Sequence, residues 1–341
     1  MYSFLNDYSE CAHPRILQNL VAMGTEQNVG YGMDSYCRQA ADLIRHLTES
    51  SDADVHFLPG GTITNLTMIS HALRPYQAVI SAQTGHINTH ETGAIEATGH
   101  KVIEVFSNDG KLYPELIQPV LTQHEDEHWV SPAMVYISNP TESGTVYTKK
   151  ELEALSSFCH ENNLYLFLDG ARLAMALAIE ETQVTFPVLA QLTDAFYIGG
   201  TKVGALFGEA LVILNDALKK DFRFNIKQHG AMTAKGWLLG VQFKTLLENG
   251  LYTELGRHAN EMMAPIRKTF VDAGYTFEAD SPTNQLFPIL PDELVTKISS
   301  KYKITIWKKT DDTHTAIRLV TSWATKKEDI DTFLDDLKNW I

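Results

Sequence analysis

The sequence has few of the residues that cross-link a chain or ligate a metal. It contains three cysteines, Cys11, Cys37 and Cys159, which are odd in number, scattered and without a Cys-x-x-Cys spacing. This pattern argues against a disulfide framework and a zinc site, because both need closely spaced sets of cysteines. The thirteen histidines show no His-Glu-x-x-His spacing, so no metal is predicted. We therefore expect a protein of a reducing compartment, the cytoplasm.

Long apolar runs and an excess of basic residues are also missing. The runs at 164–168 and 210–214 are far shorter than the roughly 20 apolar residues that span a bilayer. The amino terminus carries Asp7 and Glu10 where a signal peptide would have basic and then apolar residues. With 42 acidic against 28 basic residues, the formal net charge is −14, which disfavours binding to a nucleic-acid backbone. We expect neither a membrane nor a nucleic acid as partner.

The chain instead shows a regular alternation of short apolar runs and helical patterns. Six runs predict strands, at 54–58, 78–82, 101–106, 133–138, 164–168 and 194–198. Between the fourth and fifth runs, Leu152, Leu155 and Cys159 recur at the spacing of one helix face. Strands that are apolar on both faces and alternate with helices predict an α/β fold, with a mostly parallel central sheet and helices on both faces.

A chain of 341 residues that is 44% hydrophobic is long enough for one large domain and a smaller one. The pattern changes after about residue 240, where a long helical stretch precedes the strand-like segments 284–290, 303–309 and 316–323. We therefore predict a large domain with an N-terminal arm over 1–240, and a small C-terminal α/β domain over 241–341.

The polar residues that follow the predicted strands are the candidates for a site, because ligands of an open parallel sheet collect beyond the carboxyl ends of its strands. After the first strand, Gly60 and Gly61 form a tight turn into a helix. The bare N–H groups of such a helix start suit a phosphate, although the turn is as typical of a plain helix cap. The segment is not Gly-x-Gly-x-x-Gly, which disfavours a dinucleotide.

Three further strands end in residues that carry chemistry. His86 follows the second strand, in a segment that by itself is typical of a polar loop. The fifth strand leads to Asp169 and Arg172, which alone are typical of a surface ion pair. The sixth leads to Lys202, which lies among glycines with no acid beside it in sequence. Partial burial would lower the pKa of this lysine and make its amine nucleophilic.

Together these strand ends match the chemistry of one ligand, pyridoxal phosphate. It has a phosphate to hold, an aldehyde that joins a lysine, an aromatic ring to stack on, and a pyridine nitrogen that works best when protonated. A carboxylate beside that nitrogen keeps the ring charged, and the charged ring accepts electrons from the substrate's α-carbon. On this interpretation Asp169 faces the pyridine nitrogen, while Arg172 neutralises the cofactor's phenolate or the substrate's carboxylate.

The order of these motifs resembles the low-specificity L-threonine aldolase group of the β-eliminating lyase family, within the fold-type-I pyridoxal-phosphate enzymes. The resemblance extends from NVGYGMD (28–34) to AIRLVTSW (316–323). Its most specific parts are HETGA (90–94), LDGAR (168–172) and the lysine about thirty residues further on.

The resemblance implies a role for each cofactor residue. Lys202 would form the Schiff base with the cofactor, His86 would stack on its ring, and Asp169 would pair with the ring nitrogen. The residues implied beside the phosphate are Gly61, Thr62 and Asn65.

The resemblance also implies a substrate site. Arg172 and Arg318 would hold the substrate carboxylate, with Asn6 nearby, where a serine is more usual. His128, or a water that it orients, would meet the β-hydroxyl as the base, and His86 is the next candidate. Tyr31 would reach the partner subunit's site in a homodimer or homotetramer with active sites at the subunit interface.

The chain departs from the family pattern in two places. The family usually has Glu-Asn-Thr after the fourth strand, where this chain has Asn-Pro-Thr-Glu (139–142). Serine and glycine commonly flank the lysine, where this chain has Thr201 and Val203. These changes leave the cofactor residues in place and alter the wall that faces the substrate.

The sequence thus predicts a pyridoxal-phosphate-dependent aldolase that cleaves the Cα–Cβ bond of threonine, allo-threonine or a related β-hydroxy amino acid to glycine and an aldehyde. One alternative is a β-eliminating amino-acid lyase, which breaks the Cα–H bond and expels a β-substituent. Another is a catalytically silent protein that binds the same cofactor. The presence of the lysine, aspartate, histidine and both arginines speaks against the silent protein.

Overall fold

The computed structural model describes all 341 residues. Its strands are β1 (Asp54–Leu58), β2 (Gln77–Ala82), β3 (Lys101–Val105), β4 (Ser131–Ser138), β5 (Tyr165–Asp169), β6 (Ala195–Gly199), β7 (Glu209–Ile213), β8 (Gln285–Leu286), β9 (Ile289–Pro291), β10 (Thr305–Lys309) and β11 (His314–Val320).

Its helices are α1 (Pro14–Met23), α2 (Ser35–Leu47), α3 (Gly61–Ala72), α4 (His86–Thr89), α5 (Ala94–Ala97), α6 (Pro114–Gln123), α7 (Lys149–Glu161), α8 (Leu173–Leu177), α9 (Phe186–Leu192), α10 (Phe222–Gln228), α11 (Trp237–Leu247), α12 (Leu251–Asp272), α13 (Asp292–Lys301) and α14 (Lys327–Trp340). None combines the length and the apolar character that crossing a membrane requires.

The seven-stranded central sheet has the order β1-β7-β6-β5-β4-β2-β3. The five strands β3, β2, β4, β5 and β6, in this spatial order, pair in parallel. Strand β7 is antiparallel to both of its neighbours, β6 and β1. All six predicted strands are confirmed, with ends that differ by two residues at most. The run at 210–214, for which no strand was predicted, forms β7. The predicted fold class, a mostly parallel sheet with a smaller second unit, is confirmed.

Both faces of this sheet are buried, as the continuous apolar strands predict. One face packs in a cluster of 39 buried residues that includes Val135 and Leu166, and the other in a cluster of 20 that includes Met134 and Phe167. Neighbouring residues of one strand enter opposite clusters because side chains alternate between the faces of a strand.

Helix α7 illustrates how local sequence sets the position of a covering helix. Thr148 and Glu151 form a capping box, in which each side chain accepts a hydrogen bond from the other's backbone N–H. The predicted face of Leu152, Leu155 and Cys159 is buried against the sheet. The helix predicted between the fourth and fifth strands is confirmed.

A second, antiparallel sheet has the order β10-β11-β8, and β9 also pairs with β11. The N-terminal arm joins this unit. The Phe4 N–H donates to the Lys303 carbonyl oxygen at 2.8 Å, and the Val320 N–H donates to the Phe4 carbonyl oxygen at 3.0 Å. The Phe4 ring is fully buried in the core of the small unit. The arm therefore connects the start of the chain to its last strand.

The change from the large core to the small one falls inside α12. Helix α11 and the first part of α12, up to Ala259, pack in the large core, whereas Met263 and the residues after it pack in the small one. The change comes later than the predicted boundary at residue 240. One continuous helix crosses both cores, so no break in the sequence pattern marks the change.

Candidate active site

A cavity of about 350 Å³ opens at the carboxyl ends of the central strands, and this volume lies in the range of small-ligand sites. It is formed by the segments that follow β1, β2, β4, β5 and β6. Its lining includes Gly60, Gly61, Thr62, His86, Glu142, Asp169, Arg172, Lys202 and Glu209. The structure thus brings together the strand ends that the sequence singled out.

Asp169 is the last residue of β5, and it is only 4% exposed. Its Oδ2 accepts hydrogen bonds from the Tyr136 hydroxyl at 2.6 Å and from Asn65 Nδ2 at 3.1 Å, and its Oδ1 accepts one from the Ala171 N–H at 2.9 Å. Burial raises the pKa of this carboxyl, but the nearby His86 and the hydrogen bonds outweigh burial and lower it. Asp169 is therefore a carboxylate at neutral pH.

Two glycines allow the segment after β5 to cross β6. A Cβ atom at Gly170 would lie 1.9 Å from the Tyr197 carbonyl oxygen, and one at Gly199 would lie 2.5 Å from that of Ala171. No larger residue fits at such separations. The crossing carries Arg172 to the neighbourhood of Lys202, whose pKa is lowered in part by the charge of Arg172.

The loop that carries Lys202 lies between β6 and β7 and is fastened by the buried Glu209. One carboxylate oxygen of Glu209 accepts from the Gly200 N–H at 2.9 Å, and the other accepts from the Thr201 hydroxyl at 2.9 Å. The Lys202 amine itself lies in the cavity lining, with no salt bridge to any side chain of the protein. The loop is thus held on both sides while the amine stays free.

The surroundings of Lys202 favour its neutral amine. Burial lowers its pKa, the charge of Arg172 lowers it further, and Asp7 and Asp169 oppose the shift without cancelling it. A lysine with a lowered pKa has more of the nucleophilic free amine at neutral pH. This lysine therefore has the property required to join a carbonyl group.

His86 begins α4, after a three-residue turn that follows β2, and takes part in a chain of hydrogen bonds. Its Nδ1 lies 2.7 Å from Oε1 of the buried Glu91, which also accepts from Asn65 Nδ2 at 2.8 Å. Burial lowers the pKa of His86, but the hydrogen bond with Glu91 and the charge of Asp169 reverse that effect and raise it. Asn65, predicted beside a phosphate, instead donates to Glu91 and Asp169.

Helix α3 starts at the cavity, as the Gly-Gly-Thr turn predicted. Its N-cap residue, Gly60, provides no side-chain cap, so the first N–H groups of the helix are left for another acceptor. A Cβ atom at Gly61 would come within 3.3 Å of the Tyr197 hydroxyl, so this glycine keeps the turn open. The N–H groups and the positive end of the helix dipole make this turn suitable for an anion.

Arg172 is held by a residue that the sequence analysis did not select. Asp7 is fully buried and accepts from Arg172 Nε at 2.7 Å and Nη2 at 3.1 Å, as well as from Asn284 Nδ2 at 3.0 Å. Burial raises the pKa of Asp7, but Arg172 more than offsets this, so that its pKa is lowered. One carboxylate thus joins the N-terminal arm, the large unit and the small unit.

The neighbouring Asn6, for which a place near the substrate carboxylate was predicted, faces another way. Its side-chain oxygen accepts from the Tyr8 N–H at 3.0 Å and from the Ser9 hydroxyl at 2.9 Å. It therefore closes a turn of the arm and does not line the cavity. The structure corrects the prediction by one residue, because only Asp7 points toward Arg172.

Arg318 lies on β11, on the side of the small unit that faces Arg172. Its Nη2 donates to the Leu5 carbonyl oxygen at 3.1 Å, and its guanidinium carbon lies 5.8 Å from the centre of the Trp307 ring. Burial lowers its pKa, and the charge of Arg172 lowers it further. The arm therefore contacts both arginines, Arg172 through Asp7 and Arg318 through Leu5, but only Arg172 lines the cavity.

The structure does not bring His128 to this cavity. His128 lies in the loop before β4, its side chain is 84% exposed, and its Nδ1 lies 2.5 Å from Asp126. The eight residues of β4 separate this loop from the cavity, a rise of roughly 23 Å at about 3.3 Å per residue. Within the chain, the predicted contact of His128 with the substrate is not formed.

Tyr31 also lies outside the cavity. It is 46% exposed, and its ring lies 4.8 Å from Lys227 Nζ. Nothing in its own chain connects it to Lys202, so its predicted role in a partner's site stays a prediction.

Several residues of the site received no predicted role, although the sequence contained a signal for two of them. Glu91 lies in the HETGA segment, five residues after His86. Glu142 was noted only as a departure from the family pattern. The ring of His90 stacks on that of His86, with centroids 5.3 Å apart and planes 16° apart. Asp7 had no signal, since nothing in its segment distinguishes it from Asn6.

Comparison of the structure and the sequence with known proteins identifies the fold and the family. The structure superposes on a histidinol-phosphate aminotransferase from Clostridium acetobutylicum with a TM-score of 0.74, at 14% identity and over 100% of this chain and 99% of that one. This similarity shows the fold of the fold-type-I enzymes. The Beta-eliminating lyase family model matches residues 11–292, and the chain belongs to this family, in its low-specificity L-threonine aldolase group.

Two relatives within the family are closer. A low-specificity L-threonine aldolase from Pseudomonas sp. is 36% identical over 232 residues, which are 67% of this chain and 67% of that protein. A threonine aldolase structure from Leishmania major has a TM-score of 0.98 at 50% identity, covering 100% of this chain and 99% of that one. The resemblance inferred from the motifs is confirmed.

Proposed function

We propose that this protein is a pyridoxal-phosphate-dependent aldolase that cleaves the Cα–Cβ bond of threonine, allo-threonine or a related β-hydroxy amino acid. The observation that carries the proposal is the free Lys202 amine, which lies in one cavity with the Asp169 carboxylate and the Arg172 guanidinium. The relatives named threonine aldolase support the choice of substrate class.

The residues of the cavity fit this cofactor. Its phosphate would be held by the N–H groups at the start of α3, beside Gly60, Gly61 and Thr62, and its aldehyde by the Lys202 amine. Asp169, already a carboxylate, suits a protonated pyridine nitrogen. When bound, the cofactor supplies an electron sink for the pair left on the substrate's α-carbon.

The remaining residues orient the substrate. Arg172 uses Nε and Nη2 to bind Asp7, which leaves Nη1 for a substrate carboxylate. We assign the second guanidinium to Arg318, on which the charge of Arg172 acts. A carboxylate held by two such groups has little freedom to rotate, and this determines which bond at the α-carbon is placed to break.

The reaction is tested with purified protein, pyridoxal phosphate and a panel of β-hydroxy and β-substituted amino acids. We expect L-threonine or L-allo-threonine to give glycine and acetaldehyde in equal amounts, with no 2-oxobutanoate and no ammonia. Ammonia and a keto acid in place of glycine would support the β-eliminating lyase. A protein that binds the cofactor and turns over no member of the panel would be the silent binder.

We further propose that the protein is a cytoplasmic homo-oligomer in which Tyr31 serves the partner's site. The exposed position of Tyr31, outside its own cavity, and the unpaired state of all three cysteines support these two points. Sedimentation should show a dimer or tetramer at assay concentration. An active monomer would contradict the proposal for Tyr31.

A further inference from the structure

Glu142 lines the cavity but has none of the roles described so far. It follows the end of β4, where Ser138 pairs in register with Asp169 of β5. The topology of the sheet thus places this carboxyl beside the residues that would bind the cofactor.

The two carboxyl oxygens of Glu142 have different surroundings. Its Oε1 accepts from the backbone N–H of His86 at 2.9 Å and from the Ser138 hydroxyl at 2.8 Å. No other residue donates a hydrogen bond to its Oε2, and Glu142 is one of the residues that line the cavity. Glu142 is therefore fixed by one oxygen, while the other is free to meet a ligand.

The surroundings of Glu142 raise the pKa of its carboxyl group. Burial raises its pKa, and the negative charge of Asp169 raises it further, while Ser138 and His86 oppose the shift without cancelling it. Glu142 also acts on Arg172, whose pKa is lowered by burial but raised by the charges of Asp7 and Glu142. A carboxylate with a raised pKa is a stronger base than an ordinary carboxylate.

The other candidate bases are less suited to this step. The Nδ1 of His86 is engaged by Glu91, and the raised pKa of His86 favours its protonated form, which cannot accept a proton. His128 lies at the other end of the strands, exposed to solvent. Lys202 and Asp169 are assigned to the cofactor, and both carboxylate oxygens of Glu209 hold the Lys202 loop. The free oxygen of Glu142 is the acceptor that remains among the residues of the cavity wall.

We propose that Glu142 is a catalytic residue that accepts the proton of the substrate's β-hydroxyl group, a role that rests on the proposed aldolase function. The hydroxyl O–H bond breaks and its proton passes to the carboxylate of Glu142. The electron pair of that bond forms the aldehyde C=O as the Cα–Cβ bond breaks. The pair of the Cα–Cβ bond stays on the α-carbon, which takes a proton from solvent to give glycine, and Glu142 returns its proton to solvent.

The test compares E142Q with the parent enzyme. Glutamine preserves the shape of the side chain and the acceptor for His86 and Ser138, but it cannot take a proton. We expect threonine cleavage to fall by roughly 10²–10⁴-fold, as for a lost general base, and the acidic limb of its pH–rate profile to disappear. Cofactor affinity and glycine affinity, both measured by absorbance titration, should stay within about twofold of the parent. E161Q, at the exposed end of α7, is the matched control.

A second variant keeps the proposal testable if E142Q does not fold. S138A removes a hydrogen bond that lowers the pKa of Glu142, so the acidic limb of the pH–rate profile should move to higher pH while cleavage at alkaline pH is kept. An unmoved limb would contradict the assignment.

The outcomes separate this inference from the proposed function. A parent enzyme that cleaves no β-hydroxy amino acid overturns both. An active parent with an E142Q variant of equal rate overturns only the role of Glu142. Loss of glycine affinity in parallel with cleavage would also overturn it, because that result marks a structural role.

Discussion

Two histidines lie at opposite ends of the central strands, and each is bonded to a carboxylate at a similar distance. The His86–Glu91 pair is 2.7 Å long with a buried carboxylate, whereas the His128–Asp126 pair is 2.5 Å long with side chains 84% and 64% exposed. A pair exposed to water contributes little, because solvent screens its charges. The buried pair continues through Asn65 to Asp169. The two pairs therefore differ in the burial of their side chains and in their connection to other residues of the site, and not in the distance between histidine and carboxylate.

The variant with the largest expected effect, K202A, tests whether the cofactor is attached covalently at the carboxyl end of the sheet. K202A should lose the borohydride-stable attachment of pyridoxal phosphate and at least about 10⁴-fold in cleavage, because no other amine lines the cavity. Peptide mapping after reduction checks the attachment, and K149A, on the surface of α7, is the control. Attachment to a different lysine would contradict the assignment.

The variant with the next largest expected effect, D7N, tests whether the N-terminal arm holds Arg172 in position at the carboxyl end of the sheet. D7N should lower the free energy of unfolding by about 3 kcal/mol or more, because it leaves the Arg172 guanidinium buried without its partner. It should also raise KM for threonine more than it lowers kcat, since Arg172 would lose its fixed position. Urea denaturation and steady-state kinetics measure the two effects. N6A is the matched variant, and an equal loss in N6A would show that the turn matters more than the ion pair.

The comparison of the two histidines is tested directly by H86A and H128A. H86A should weaken cofactor binding and slow cleavage, because His86 lines the cavity. H128A should change the free energy of unfolding by at most about 0.5 kcal/mol and leave cleavage at the parent rate, as is usual for an exposed side chain. A large loss of cleavage in H128A would mean that a second copy of the chain brings this histidine to the site.

The smallest expected effect concerns pH. Because the folded protein raises the pKa of His86, protonation of His86 stabilises the fold. This stabilisation is fully present below about pH 6.5, the ordinary value for histidine, and is lost as the pH rises through the higher value of the folded state. Urea denaturation of the cofactor-free parent and of H86Q should therefore show a stability difference that shrinks at alkaline pH. H128Q is the control. An equal pH dependence of the stability difference in H86Q and H128Q would show that the two histidines do not differ in this respect.

The sequence by itself determined six of the seven strands of the central sheet and the position of its active edge. Strands that are buried on both faces appear as continuous apolar runs, so these six were recognisable from local composition, whereas β7 was not predicted although it is also buried. Since parallel strands end at one edge, the residues after them, including His86, Asp169 and Lys202, were predictable as neighbours. The motifs then identified the family.

Only the tertiary structure decided which side chains complete the site. Asp7 and Arg172 are 165 residues apart in the chain, and their contact depends on the docking of the arm between two cores. A change of one residue reverses the direction of a side chain in an extended segment, so Asn6 and Asp7 are indistinguishable by pattern. His128 was placed by the family pattern through its spacing to the next strand, but its loop precedes β4 and therefore lies at the amino end of that strand, opposite the cavity. Local sequence encodes which segments are buried, whereas contacts between distant segments arise only from packing.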